Sequence, residues 1–185
     1  MAKIILINSG QRCGKDTAAD ILKDRLTELD KSVLIIPFAE PVKKVVSEFL
    51  GVTVEELDVM KNEKTNVTVG KRSLSARDFI IEYSNDIKVM TSEYYFLNKT
   101  IDTIMETAYD VYIIPDLRYI IEYERFKRLD FDTDFIQIDS NLESCVDDTE
   151  IKELPYDFTF KNIDGDLTQL KFDIEEYVVK KIFSA

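Results

Sequence analysis

The chain has 185 residues, 45% hydrophobic and 32% charged, which fits one domain with a sizeable core and room for an inserted subdomain. Its 24 Lys and Arg face 36 Asp and Glu, and the resulting net charge of −12 excludes a surface built to grip duplex nucleic acid by neutralising phosphates. Histidine is absent, so Ser-His-Asp triads and histidine zinc sites are excluded, and any chemistry must rest on carboxylates, Lys, Arg, hydroxyls, thiols, backbone amides or a bound metal. Two cysteines, Cys13 and Cys145, are too few for a disulfide framework, and reduced thiols are expected. No apolar run approaches the roughly 20 residues of a membrane helix, and the first residues lack the ordered regions of a signal peptide. A soluble, cytoplasmic protein with no membrane partner is therefore expected.

Lys3 to Ile7 is a continuous apolar run of strand length, the pattern of a strand buried on both faces. A glycine-containing turn follows, and Asp16 to Leu29 then repeats apolar residues at helical spacing. Ser32 to Pro37 predicts a second buried strand, and Pro41 to Leu50 a helix stopping near Gly51. Residues 53–107 show helical periodicity and no convincing strand, so a helical insertion is expected there. Val111 to Pro115, Asp134 to Ile138 and Asp157 to Lys161 predict three more strands, separated by helices over Tyr119 to Leu129 and, at the end, Asp166 to Ile182. Strands alternating with helices predict an α/β fold of three layers, a parallel sheet covered on both faces. The insertion would then lie over the carboxyl ends of the strands, where such sheets bind ligands.

Between the first strand and first helix runs Ser9-Gly10-Gln11-Arg12-Cys13-Gly14-Lys15-Asp16-Thr17. Against the phosphate-loop pattern G-x-x-x-x-G-K-[ST], Gly14-Lys15 is kept, Ser9 replaces the first glycine, and Asp16 takes the hydroxyl position with Thr17 after it. Gly10 and Gly14 can supply the unusual dihedrals that let successive N–H groups point inward. The helix N-terminus adds partial positive charge, and Lys15 can reach β- and γ-phosphates. Asp16 makes sense beside a triphosphate if Mg²⁺ or its water shell intervenes; the alternative is a carboxylate suited to a helix N-terminus. Thr17 can donate to an α-phosphate. Cys13 reads as a small side chain that fits the turn, with a reactive thiol as the alternative.

At Gly14-Lys15-Asp16-Thr17, preceded by Arg12, the sequence resembles the phage-type deoxynucleoside monophosphate kinases, and the likeness continues in register. Phe38-Ala39-Glu40-Pro41-Val42-Lys43 looks like that family's F-A-D-P-L-K segment, and Arg77-Asp78-Phe79-Ile80-Ile81 with Ser84-Asn85-Asp86 is similar to its R-E-L-L-Q…G-T-E segment. Asp116-Leu117-Arg118-Tyr119-Ile120-Ile121-Glu122-Tyr123-Glu124 follows D-V-R-F-x-x-E-A-E, and Lys161-Asn162-Ile163-Asp164-Gly165-Asp166-Leu167 looks like the N-x-G-x-L entry into the last helix. The sequence departs from the family after the strand at Asp134 to Ile138, where Asp139 to Glu150 is acidic and lacks the Arg and His-x-Ser-Glu run often found there. With no arginine from Leu129 onward, Arg118, Arg125 or Arg128 would have to clamp the transferred group.

The resemblance implies a single nucleoside monophosphate kinase domain of the P-loop type, with a helical acceptor-binding insertion at about 53–107 and a lid at about 118–155. It implies ATP and Mg²⁺, a deoxynucleoside monophosphate as acceptor, and the host cytoplasm if the chain is phage-encoded; the sequence leaves oligomeric state open, a homodimer included. Asp116 ends an apolar strand, where a carboxylate can hold Mg²⁺ through water; a helix N-cap is the alternative. Arg118 and Glu122, four apart, read as phosphate and substrate contacts or as a solvated ion pair. Arg77 is suited to a bidentate grip on a monophosphate. Lys43 reads as an acceptor contact or a solvated lysine, and Glu40 as an acceptor contact or a helix cap. Tyr94, Tyr95 and Phe96 could stack on a base but fit a core equally well. Beside this kinase stand two alternatives: another small-metabolite kinase of the dephospho-coenzyme A or phosphomevalonate type, and a nucleotide-binding regulatory module without turnover.

Overall fold

In the computed structural model residues 2–61, 63–69, 72–142, 155–163 and 166–182 are described. The chain divides into two compact units, one of Met1–Pro37 with Ile104–Ala185 and one of Phe38–Thr103.

The first unit is built on a five-stranded sheet, all parallel, flanked by helices. Its strands are β1 (Lys3–Asn8), β2 (Val33–Ile35), β5 (Val111–Leu117), β6 (Asp132–Ser140) and β7 (Phe158–Asn162), in the spatial order β2-β5-β1-β6-β7. The three-layer α/β expectation from alternating strands and helices agrees with this. Ile4 to Ile7 are wholly buried because β1 has a strand on each side and helices over its faces. Helix α1 (Lys15–Thr27) turns Ala18, Ala19, Leu22 and Leu26 inward, at the i, i+4, i+8 spacing of one face. Helix α6 (Ile120–Arg128) buries Tyr123 and Phe126, and α7 (Leu167–Tyr177) buries Leu170, Ile174 and Tyr177 before a π-turn over Val178–Ile182. Phe158, Phe160 and Tyr177 meet edge to face with centroids 5.6–6.0 Å apart, closing the sheet's β7 side.

At the amino ends of the strands the unit is held by charge. Lys3, on β1, donates to Asp132 at 2.7 Å and lies 3.0 Å from Asp134, which also accepts from the Tyr177 hydroxyl at 2.9 Å. Burial works against the Lys3 ammonium, but the two carboxylates outweigh it and hold its pKa above the ordinary lysine value. Burial first, and the Asp134 charge second, push the Tyr177 phenol upward. Among the described residues no helix is long and apolar enough to cross a membrane.

The second unit has its own core, with Val42, Val46, Leu57, Ala76 and Phe96 buried together. Helix α2 (Glu40–Leu50) starts with Pro41 in its first turn and ends at Gly51, whose φ of 70° is the left-handed stop that glycine allows. Helices α3 (Val54–Val59) and α4 (Ala76–Met90) open with capping boxes, Thr53 with Glu56 and Ser75 with Asp78. Helix α5 (Tyr95–Glu106) follows. The expectation that this stretch holds no strand is corrected: β3 (Lys64–Val69) and β4 (Arg72–Ser75) form an antiparallel pair. The β-branched residues Thr65, Val67, Thr68 and Val69 carry that strand signal, and helical patterns on both sides of it obscure it. Thr65 is buried, donating to the Leu74 carbonyl at 2.9 Å and accepting from Val67 N–H.

Candidate functional site

In the sheet order, β1 is flanked by β5 and β6, so the chain's path across the sheet reverses at β1 and opens a crevice at its carboxyl end. Buried Asn8 ties that end together. Its Nδ2 donates to the Leu117 carbonyl at 2.9 Å, and its Oδ1 accepts from the Tyr156 hydroxyl at 3.0 Å. Asn8 lies opposite Leu117 on one side and Gln137 on the other.

From there Ser9 to Gly14 lead into α1. Ser9, Gly10 and Cys13 are buried, Gln11 is half-buried and Arg12 is exposed. Arg12 and Gly14 both take left-handed backbone, with φ of 61° and 97°. Alternation into that region folds successive amides into a concave nest. Helix α1 has no side-chain cap, and the N–H groups of Gly14, Lys15, Asp16 and Thr17 have no acceptor among the described residues. The first bond in the helix is Ala18 N–H to the Gly14 carbonyl, at 2.9 Å. A row of unclaimed donors at the positive end of a thirteen-residue helix is an anion cradle by chemistry. Lys15 Nζ lies beside it, held at 2.6 and 2.7 Å by the Asp16 carboxylate. The lysine is mostly covered (16% exposed) and the aspartate open (77%), so an arriving anion would compete with Asp16 for the ammonium.

Sequence reasoning missed the loop's support. Asn162, the last residue of β7 and 3% exposed, donates from Nδ2 to the Cys13 carbonyl at 3.0 Å. Cys13 itself is disulfide-bonded, which corrects the expectation of reduced thiols; Cys145 lies outside the described residues. A pairing of this kind needs two sulfurs brought together by the fold, and a cysteine count carries no such information.

Asp116 lies within β5, next to β1 and at the carboxyl end of the sheet, and is half-buried. It is not the N-cap of α6, which is Tyr119. Glu122 Oε2 accepts the backbone N–H groups of Arg118 at 2.9 Å and Tyr119 at 3.0 Å, so it closes the start of α6 from the third helical position. Arg118 is half-buried in the turn between β5 and α6.

The remaining candidates belong to the second unit. Lys43 donates to Asp58 at 2.8 Å, and Asp58 also holds Lys61 at 3.2 Å. Burial pushes the Asp58 carboxyl up, but Lys43 and then Lys61 bring its pKa below the usual aspartate value. Glu40 sits in the first turn of α2 without capping it and pairs with Lys44 at 3.6 Å. Arg77 is the second residue of α4, its N–H bonded to the Lys61 carbonyl at 2.7 Å. Phe96 is core, Tyr95 packs against it edge to face at 5.2 Å, and Tyr94 is exposed.

Asp16 and Asp116 offer the hard carboxylate oxygens that Mg²⁺ prefers, both at the carboxyl end of the sheet. Among the described residues no three carboxylate or thiol side chains converge. Such a donor set fits an ion that keeps much of its water and takes phosphate oxygens as further ligands. A cleft of about 380 Å³ opens at the other end of the sheet, lined by Lys3, Lys31, Asp110, Asp132 and Lys181. Its three lysines face two aspartates, and it lies away from the loop. The first unit is thus an α/β sheet domain with an amide-rich loop and a lysine at the reversal point of its strand order. No family model matches the chain, and no curated protein matches it either.

Proposed function

We propose that this chain transfers the γ-phosphoryl group of ATP to a deoxynucleoside 5′-monophosphate, giving ADP and the diphosphate. The observation that carries the reading is the loop after β1, with four backbone N–H groups that lack acceptors among the described residues and Lys15 beside them at the crevice. The sequence likeness to phage-type deoxynucleoside monophosphate kinases supports it from a separate direction. In this reading the loop amides and Lys15 hold the donor phosphates, Thr17 adds its hydroxyl, and Arg118 meets the charge that spreads over the transferred group. Mg²⁺ would be held by Asp16 and Asp116 through water and would supply charge neutralisation when bound. The acceptor falls to Glu40, Lys43 and Arg77 of the second unit. Lys43 would have to give up Asp58 to reach a phosphate, so Arg77 bears more of that task. No general base is needed, because the acceptor phosphate is already an anion; a chain without histidine can do this chemistry.

A nucleotide-binding module without turnover is the second reading, favoured by the absence of arginine beyond Arg128. An assay of ADP release with a panel of deoxynucleoside and other small-metabolite monophosphates separates the readings. Turnover with deoxynucleotides supports the first. Turnover with another metabolite alone points to a different small-molecule kinase, and tight ATP binding with no turnover points to the module.

A further inference from the structure

We infer that Asn162 is a positioning residue that aims the backbone of the loop after β1, turning the Gly14 N–H into the anion cradle. The inference rests on the proposed role of that loop and adds to it a residue at the far edge of the sheet. Asn162 is opposite Ser140 at the end of β7, and its Nδ2 reaches the Cys13 carbonyl 149 positions away at 3.0 Å. A carbonyl accepts only from the NH₂ end of an amide side chain, so this bond fixes which way Asn162 is turned. In the trans, planar peptide between Cys13 and Gly14 the carbonyl and the N–H point in opposite directions. Holding the carbonyl toward β7 therefore directs the Gly14 N–H away from it.

Two further observations tie the residues together. A Cβ placed on Gly14 would lie 2.2 Å from Asn162 Nδ2 and 3.2 Å from its Cγ, so the amide occupies the space that only glycine leaves open. Meanwhile Asn162 Oδ1 is buried with no hydrogen-bond partner among the described residues. An orphaned buried acceptor is destabilising, and an apolar side chain of the same shape would avoid it. The amide is therefore accounted for by what it does to the loop, not by what it adds to stability.

The test compares the full chain with N162L, which keeps the shape, and N162D, which sets a carboxylate oxygen against the Cys13 carbonyl. Three quantities are read: the thermal midpoint, amide hydrogen exchange over residues 10–18 without nucleotide, and calorimetric affinity for a non-hydrolysable ATP analogue with Mg²⁺. The expected result for N162L is an unchanged or raised midpoint, with loop exchange faster by about tenfold and affinity weaker by about tenfold, the effect of losing one fixed hydrogen bond. N162D should show a larger loss of affinity. Unchanged loop exchange in N162L overturns the inference, as does faster exchange across the whole sheet with a lowered midpoint. If wild type fails to bind the analogue while N162L still loosens the loop alone, the positioning role stands and the nucleotide reading falls.

Discussion

Lys15 and Asp16 are neighbours in sequence and partners in space, so the ammonium nearest the loop begins its work already paired. On the proposed mechanism Lys15→Ala removes the cation that meets the donor phosphates, and kcat should fall by about 10² or more, roughly 3 kcal/mol of transition-state stabilisation. Steady-state ADP release checks this. Asp58 gives a pH effect of known sign. Its carboxyl is held below its unfolded value of about 3.9 by Lys43 and Lys61, so its contribution is present above that pH and is lost as pH falls through the lower folded value. Asp58→Asn should therefore flatten the decline in stability below about pH 4, read from denaturant unfolding at a series of pH values. Lys3 behaves oppositely at the alkaline end, and Lys3→Met leaves mostly buried Asp134 short of a partner. Breaking a buried pair costs about 3–5 kcal/mol, and the lower figure is expected because Tyr177 still donates to Asp134.

Among the elements, α6 shows how a side chain that looks like a ligand can be an architectural part. Glu122 accepts two N–H groups at the helix start, and Glu122→Ala should cost about 1 kcal/mol in urea unfolding, the usual worth of a cap. If acceptor KM rises more than a few fold in that variant while stability is kept, the residue touches substrate instead. Elements whose signal is continuous were legible from sequence: the apolar run of β1, the helical stripe of α1 and the glycine-bearing loop between them needed no distant information. The β3–β4 pair was missed because six β-branched and polar residues flanked by helices give too short a period to stand out. Asn162 and Asn8 could not be read as supports at all. Their partners lie 149 and 109 residues away, and an asparagine carries no mark of which carbonyl it will meet.

For the molecule as a whole, the division of residues between two units bears on what the proposed activity needs. The donor determinants named above are all in the first unit, while Glu40, Lys43 and Arg77 are in the second, which is continuous in sequence and has its own buried cluster. A fragment of residues 38–103 should therefore fold without the rest and give a cooperative thermal transition monitored by far-ultraviolet circular dichroism. A featureless, non-cooperative melt would show that the cluster of Val42, Val46, Leu57, Ala76 and Phe96 is insufficient by itself.

The strand order also fixes when, during synthesis, the sheet can exist. Neither neighbour of β1 is encoded near it: β5 begins at Val111 and β6 at Asp132, and even β2 pairs with β5 and not with β1. At translation speeds of about 5–20 residues per second, β1 leaves the ribosome about 5–20 s before its first partner. In that interval Ile4 to Ile7, wholly buried in the finished protein, is an apolar segment with no strand to claim its backbone donors. A nascent chain stalled before β5 is therefore a natural client for a holding chaperone, and the first two strands wait for a third to join them.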